Sequence, residues 1–220
     1  CLVTTGPGGV NTLSGVASAW VDSIPILVLS GQVRQDLIAD YTKIRQKGPQ
    51  EGNVVEMARP VTKYAITLVN PHKVRYALEK AIYLATNGRP GPVWLDFPLD
   101  VQESEIDEAM LEVFTPPVKE KSSVYLEEQA RQFLKIAGEA RRPIFLPGNG
   151  IHIAGAEDLL GELLREVPFP VVLPNCAKDL VPELHPRYMG VFGTAGQRRA
   201  NFSVQNSDCV FFLASGINVT

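Results

Sequence analysis

Residues 2–30, LVTTGPGGVNTLSGVASAWVDSIPILVLS, carry the fold. A short apolar and β-branched run at 2–5 meets Gly6-Pro7-Gly8-Gly9. Val10, Leu13, Val16, Ala17, Trp20 and Val21 then recur at the spacing of one helix face. Residues 24–30 are apolar on both alternating sides, the composition of a strand covered on both faces of a sheet. The order is strand, glycine turn, helix, strand, which is the grammar of a parallel α/β domain.

The same alternation continues outward. Residues 32–52 mix Arg34, Asp36, Asp40, Lys43, Arg45, Lys47 and Glu51 with weak periodicity, so a long surface segment is expected there, of the kind that often carries function. Asn70-Pro71 is a cap followed by a helix-starting proline, and Val74, Ala77, Leu78, Ala81, Ile82 and Ala85 extend that helix to Asn87-Gly88. A buried strand is predicted at 92–97. From 103 to 123 the chain turns acidic, then rich in proline and lysine, without a sustained apolar period, which reads as a boundary. The pattern resumes with a helix near 125–140, a strand at 143–147, the turn Gly148-Asn149-Gly150, a helix near 156–166 and a strand at 170–173. A helical or loop stretch then leads to a last strand at 209–214. The domains expected are 1–115, a linker at 116–123, and a second, Rossmann-like unit at 124–220.

Composition narrows the function classes. With 45% apolar residues the chain has material for packed cores, so disorder as a whole is excluded. The 18 glycines and 17 prolines, spread without a period, exclude a long coiled coil. Against 24 acidic side chains stand 21 basic ones with no long run of either sign, which leaves no footprint for nucleic acid or an anionic membrane. Three cysteines (Cys1, Cys176, Cys209) without metal spacing imply a reducing, cytoplasmic setting, and Cys176 and Cys209 are expected in cores. His72, His152 and His185 are scattered, so no zinc site is expected. No apolar stretch is long enough to span a bilayer. The chain opens at Cys1 inside an apolar run and stops just after another, and a piece of a longer protein is expected.

On physics alone, Gly6-Pro7-Gly8-Gly9 lets backbone come close to a ligand at the head of a helix, and equally makes a tight turn between strand and helix. It is not a Walker loop, because no Gly-Lys-Ser/Thr follows. Gly148-Asn149-Gly150 lacks the third glycine of the dinucleotide fingerprint, so a plain strand-to-helix turn is the stronger reading. Asp96 and Asp100 flank a strand end with no visible acid or base partner, and both read as structural.

Four separated motifs carry a family resemblance: Gly6-Pro7-Gly8-Gly9-Val10-Asn11, Asp22-Ser23-Ile24-Pro25, Ser30-Gly31-Gln32-Val33, and Arg89-Pro90-Gly91-Pro92-Val93-Trp94-Leu95-Asp96. In order and spacing they resemble the pyrimidine-binding domain of thiamine diphosphate enzymes of the acetohydroxyacid (acetolactate) synthase and oxoacid decarboxylase type. Gly190-Val191-Phe192-Gly193-Thr194, Arg199-Ala200-Asn201-Phe202 and Gln205-Asn206-Ser207-Asp208 resemble the central domain of the same enzymes. Trp20-Val21-Asp22-Ser23, Arg45-Gln46 and the run 81–86 look most like an acetolactate-synthase-like branch, whose members are often tied to surface-polysaccharide and unusual-sugar pathways.

The resemblance implies decarboxylation of a 2-oxoacid, pyruvate first, and transfer of the acyl-anion unit to a second carbonyl. An oxoacid decarboxylase, a keto-sugar acceptor, and a non-catalytic scaffold that binds a nucleotide are the alternatives. It places Pro7, Gly8 and Asn11 near the thiamine diphosphate pyrimidine, and Gln50 as the amide that meets the oxoacid; a solvated loop glutamine is the plainer reading of that residue. Gly148, Asn149, Gly150, Gly193 and Thr194 fall where loops approach the FAD of the synthases. No catalytic or metal-binding residue is expected in the chain: the family's glutamate would precede Cys1, and its Mg²⁺ site would follow Thr220. A homodimer or homotetramer is implied, since the site forms between subunits. Three positions depart from the pattern. Pro49 stands for the family's phenylalanine, Leu99 for a lysine, and Gly216 for an arginine facing flavin phosphates, with Arg198 and Arg199 as substitutes or simply a solvated helix face.

Overall fold

The computed structural model describes residues 1–118 and 123–216. Strand β1 (Leu2–Val3) enters helix α1 (Pro7–Asp22) through Gly6 at φ 58°, with Pro7 in the first turn where its missing N–H costs nothing. Ser23 closes α1 in the left-handed region at φ 61°. Strand β2 (Leu27–Gln32) therefore begins three residues later than predicted, past Pro25, and runs on to Gln32. Two elements follow where none was predicted: the short helix α2 (Val54–Ala58), capped by the Asn53 side chain, and strand β3 (Tyr64–Thr67). Helix α3 (Val74–Thr86) is entered by a 3₁₀ turn over Pro71–Lys73, and strand β4 (Val93–Pro98) runs into the single turn α4 (Leu99–Gln102).

These strands form one parallel sheet in the order β1-β2-β4-β3. Its alternate residues feed two cores. Val28, Ala65 and Trp94 pack under Val16 of α1 and Val54, Val55 and Ala58 of α2, whereas Val93 and Leu95 pack under Ala77, Ala81 and Ala85 of α3. Small alanines on α3 bring that helix close to the sheet. The stretch from 103 read as the start of a connection is in part docked: Phe114 lies between the rings of Tyr76 and Tyr83, with centroids 5.5 and 5.4 Å away, and its N–H donates to Glu79.

The second unit contains α5 (Ser123–Glu139), β5 (Pro143–Pro147), α6 (Gly150–Ala154), α7 (Glu157–Glu166), β6 (Val171–Pro174), β7 (Tyr188–Phe192), α8 (Arg198–Asn206) and β8 (Cys209–Leu213). Its sheet is parallel, ordered β7-β6-β5-β8, the third-second-first-fourth arrangement of half a doubly wound fold. Phe145, Val171 and Leu173 pack with Leu160 and Leu164 of α7 on one face, and Ile144, Leu146 and Val172 with Ala200 of α8 on the other. Strand β7 corrects the expected helical or loop stretch. Gly190, at φ 111°, interrupts its apolar run and hides it from a pattern reading. The chain divides into two compact units, Cys1–Lys119 and Glu120–Thr220. Of the linker expected at 116–123, residues 119–122 lie outside those described.

Candidate functional site

The site begins at the turn. A Cβ placed on Gly6 would lie 1.6 Å from the Gln50 carbonyl oxygen, so only glycine lets the 48–52 backbone lie on the turn. A Cβ on Gly8 would meet Thr4 at 2.9 Å, and one on Gly9 would meet Val54 at 2.8 Å. All three glycines thus make room for this chain's own atoms. Pro7 and Asn11 are exposed and Gly8 is half-buried along the same first turns of α1, with the exposed Gln50 beside them. The structure therefore brings Gln50 to the turn that holds Pro7, Gly8 and Asn11, although they are about forty residues apart.

Glu51, the next residue, reads in the sequence only as one charge of the surface segment at 32–52. Its Oε1 accepts from the Ala39 N–H at 2.5 Å and the Tyr41 hydroxyl at 3.0 Å; its Oε2 accepts from the Lys47 and Gly48 N–H groups at 2.7 and 3.1 Å. Burial works to raise its pKa, but the three backbone donors and the tyrosine outweigh it and hold the carboxyl at about 2. The Tyr41 hydroxyl is in turn pushed up, first by burial and then by Glu51. Residues 39–48 of the long segment are thereby gathered onto one anionic side chain.

Beneath the turn runs a buried polar chain. Asp96 of β4 is fully buried; it accepts from Ser30 at 2.5 Å, Gln32 at 3.2 Å and Thr67 at 3.2 Å. Trp94 Nε1 donates to Ser30 at 2.8 Å, and Thr5, just before Gly6, donates to Gln32 at 3.0 Å. The register that pairs both Ser30 and Thr67 with Asp96 places these side chains side by side. Burial raises the Asp96 pKa against the pull of its three donors. Asp100 accepts from the main chain and side chain of Gln35 at 3.1 and 2.9 Å. Both aspartates are thus tied into the structure around the strand ends.

In the second unit, Gly148, Asn149 and Gly150 follow β5, and Gly193 and Thr194 follow β7, all at the carboxyl ends of parallel strands. The crevice at the switch point between β5 and β8 is where doubly wound sheets take ligands. Here a Cβ on Gly148 would lie 2.5 Å from Ser215 Cα, and one on Gly150 2.6 Å from the Ala214 carbonyl. Gly148 and Gly150 donate their N–H groups to Leu213 and Ala214, and Ala214 sits at φ 49°, an unusual conformation for alanine. Gly193 is open at its Cβ position, and both its N–H and its carbonyl bond the Asn201 side chain. Arg198 lies over the Phe202 ring and Arg199 donates to the Met189 carbonyl, so both serve helix α8 and strand β7. Cys176 is exposed, against the expectation of a core position, because it falls in the 3₁₀ turn after β6; Cys209 is partly buried. Among the described residues no group of three or more His, Cys, Asp or Glu could hold a metal ion.

The chain holds two parallel α/β units, the first with a glycine turn clasped by a distant loop and the second in half-Rossmann order. Residues 1–58 match the family described as thiamine pyrophosphate enzyme, N-terminal TPP binding domain, and residues 130–220 match thiamine pyrophosphate enzyme, central domain. The chain belongs to the thiamine pyrophosphate enzymes. It is 34% identical over 222 residues to the probable acetolactate synthase large subunit of Methanocaldococcus jannaschii, covering 98% of this chain and 36% of that protein. It is 33% identical over 215 residues to the acetolactate synthase large subunit of Corynebacterium glutamicum (98% and 33%), and 30% identical over 214 residues to that of Lactococcus lactis (97% and 36%). The chain spans about a third of the length of the curated relatives it matches.

Proposed function

We propose that these residues form one wall of the active site of a thiamine diphosphate enzyme that decarboxylates pyruvate, or a closely similar 2-oxoacid, and passes the acyl-anion unit to a second carbonyl. The observation that carries this reading is Gln50 lying at the Gly6-Pro7-Gly8 turn, in a chain related to acetolactate synthases. When bound, thiamine diphosphate supplies the electron sink for the carbon that loses CO2. Pro7, Gly8 and Asn11 are the exposed rim against which its pyrimidine would rest. The Gln50 amide donates a hydrogen bond to an oxygen of the oxoacid, strengthening as charge gathers there.

Glu51 is not the acid that meets the pyrimidine ring, because its oxygens are taken by four donors of its own unit. In this reading that glutamate comes from sequence before Cys1. Mg²⁺ and the diphosphate would likewise be held by a further domain, for which the greater length of the relatives leaves room. The wall and the diphosphate site then belong to different subunits of a homodimer or homotetramer. Of the five residues expected at a flavin, Gly148 and Gly150 leave no cradle, because the spaces they would open are filled by residues 214–215 of this chain, whereas Gly193 is open at its Cβ position. No step is assigned to FAD. A cytoplasmic setting fits three cysteines that are all free, and no helix among the described residues is long and apolar enough to cross a membrane.

The test is made on the complete protein. With thiamine diphosphate, Mg²⁺ and pyruvate it should release CO2 and form an acetolactate-type product. Gln50→Ala should lower kcat/KM by on the order of 100-fold, as loss of one transition-state donor does. Full activity in that variant, or no cofactor-dependent CO2 release by the unaltered protein, overturns the reading.

A further inference from the structure

We infer that Glu51 is a positioning residue: its carboxylate gathers the 39–48 segment into a latch that fixes the adjoining Gln50 backbone on the Gly6 turn. The inference rests on the reading of Gln50 given above and adds the residue through which Gln50 is held.

The geometry supports it from both sides of one peptide bond. On one side, the Gln50 carbonyl occupies the space that a Cβ on Gly6 would need, so the contact exists only while the 48–52 backbone stays in place. On the other, the two Glu51 oxygens accept four hydrogen bonds, from the N–H groups of Ala39, Lys47 and Gly48 and from the Tyr41 hydroxyl. Apart from Ala39, which is buried, the segment from 40 to 50 is partly or fully exposed, and Ile44 is 45% exposed. No apolar core holds it. Beside an exposed bond from Lys47 Nζ to the Asp36 carbonyl at 3.2 Å, the carboxylate with its four donors is the main fixed point.

Only an ionised carboxyl can do this. Its two oxygens are acceptors alone, whereas the amide of a glutamine would turn an NH2 toward either the Ala39 and Tyr41 donors or the Lys47 and Gly48 donors. Glu51→Gln is thus nearly isosteric yet sets donor against donor. A reacting amide displaced by about 1 Å is enough to cost on the order of 100-fold in rate.

The experiment uses the complete protein and four variants, Glu51→Gln, Gln50→Ala, the double variant, and Tyr41→Phe. Two readouts are taken: steady-state kinetics with pyruvate, and the rate of tryptic cleavage at Lys43, Arg45 and Lys47 in the absence of substrate. Glu51→Gln is expected to lower kcat/KM by on the order of 10- to 100-fold, with faster cleavage at those three sites and an unchanged rate at sites elsewhere. If Glu51 acts through Gln50, the double variant stays within about twofold of Gln50→Ala alone. Tyr41→Phe, which removes one donor of four, should show a smaller change in both readouts; it decides the matter if Glu51→Gln does not fold. Cleavage at the wild-type rate in Glu51→Gln, or losses that multiply in the double variant, overturn the latch. Full activity of Gln50→Ala with faster cleavage in Glu51→Gln leaves the latch standing and removes the role given to Gln50.

Discussion

Asp96 shows how a single position can matter without touching substrate. Removing its carboxyl strands the donors of Ser30, Gln32 and Thr67 in the sheet. Asp96→Ala should therefore cost about 1–3 kcal/mol for donors left without acceptors, read as a lower denaturant midpoint. Burial raises the folded-state pKa of Asp96, so the stability it contributes is full below its unfolded pKa and is lost as pH rises through the folded value. The gap between wild type and Asp96→Ala should narrow as pH rises from the ordinary carboxylate range upward; a widening gap would contradict the assignment. His152 is a second case. Its Nδ1 lies 2.8 Å from Glu157 and its Nε2 3.2 Å from Asp179, and those two bonds raise its pKa. The clip is complete below the ordinary histidine range and loosens as pH rises through the raised value. The stability difference between wild type and His152→Asn should thus be larger near pH ~6 than near pH ~8.5, as measured by thermal midpoints. In the sequence His152 reads only as a scattered histidine, since Asp179 is 27 residues away and meets it only through the fold.

Among the elements, turns were easier to foresee than what they were for. Gly6 and Gly88 both adopt positive φ, 58° and 67°, yet a Cβ on Gly88 would meet open space whereas one on Gly6 would strike the Gln50 carbonyl. Gly88→Ala should cost about 1 kcal/mol from backbone conformation alone. Gly6→Ala should cost more and also speed tryptic cleavage at Lys47, because the 48–52 backbone must move. Equal costs in chemical denaturation would show that the clasp contributes nothing. Helix α1, helix α3 and strands β2, β4, β5 and β6 were legible because each carries its period or its continuous apolar run in full. Strand β7 was not, because Gly190 breaks the run, and β3 with its neighbour α2 was not, because four or five residues hold too little pattern to separate from a loop.

For the whole molecule, the scale of the activity differs from the scale of the chain. The relatives are about three times as long, and the proposed site has its acid and its diphosphate holder outside residues 1–220. The chain as it stands, mixed with thiamine diphosphate, Mg²⁺ and pyruvate, should therefore release no CO2 above the protein-free rate. Measurable release would place the whole machinery within these residues.

Composition and periodicity by themselves determined the parallel α/β class, most of the helices and buried strands, and the glycine turn, because burial on both faces of a sheet and helix-end chemistry are written in local order. Only the tertiary structure decided that the turn's glycines accommodate this chain's own backbone, that Gln50 reaches them, and that Glu51 and Asp96 hold the surroundings in place. Those contacts join residues tens of positions apart, and the attraction between a carboxylate and its donors has no signature until the chain has folded around them.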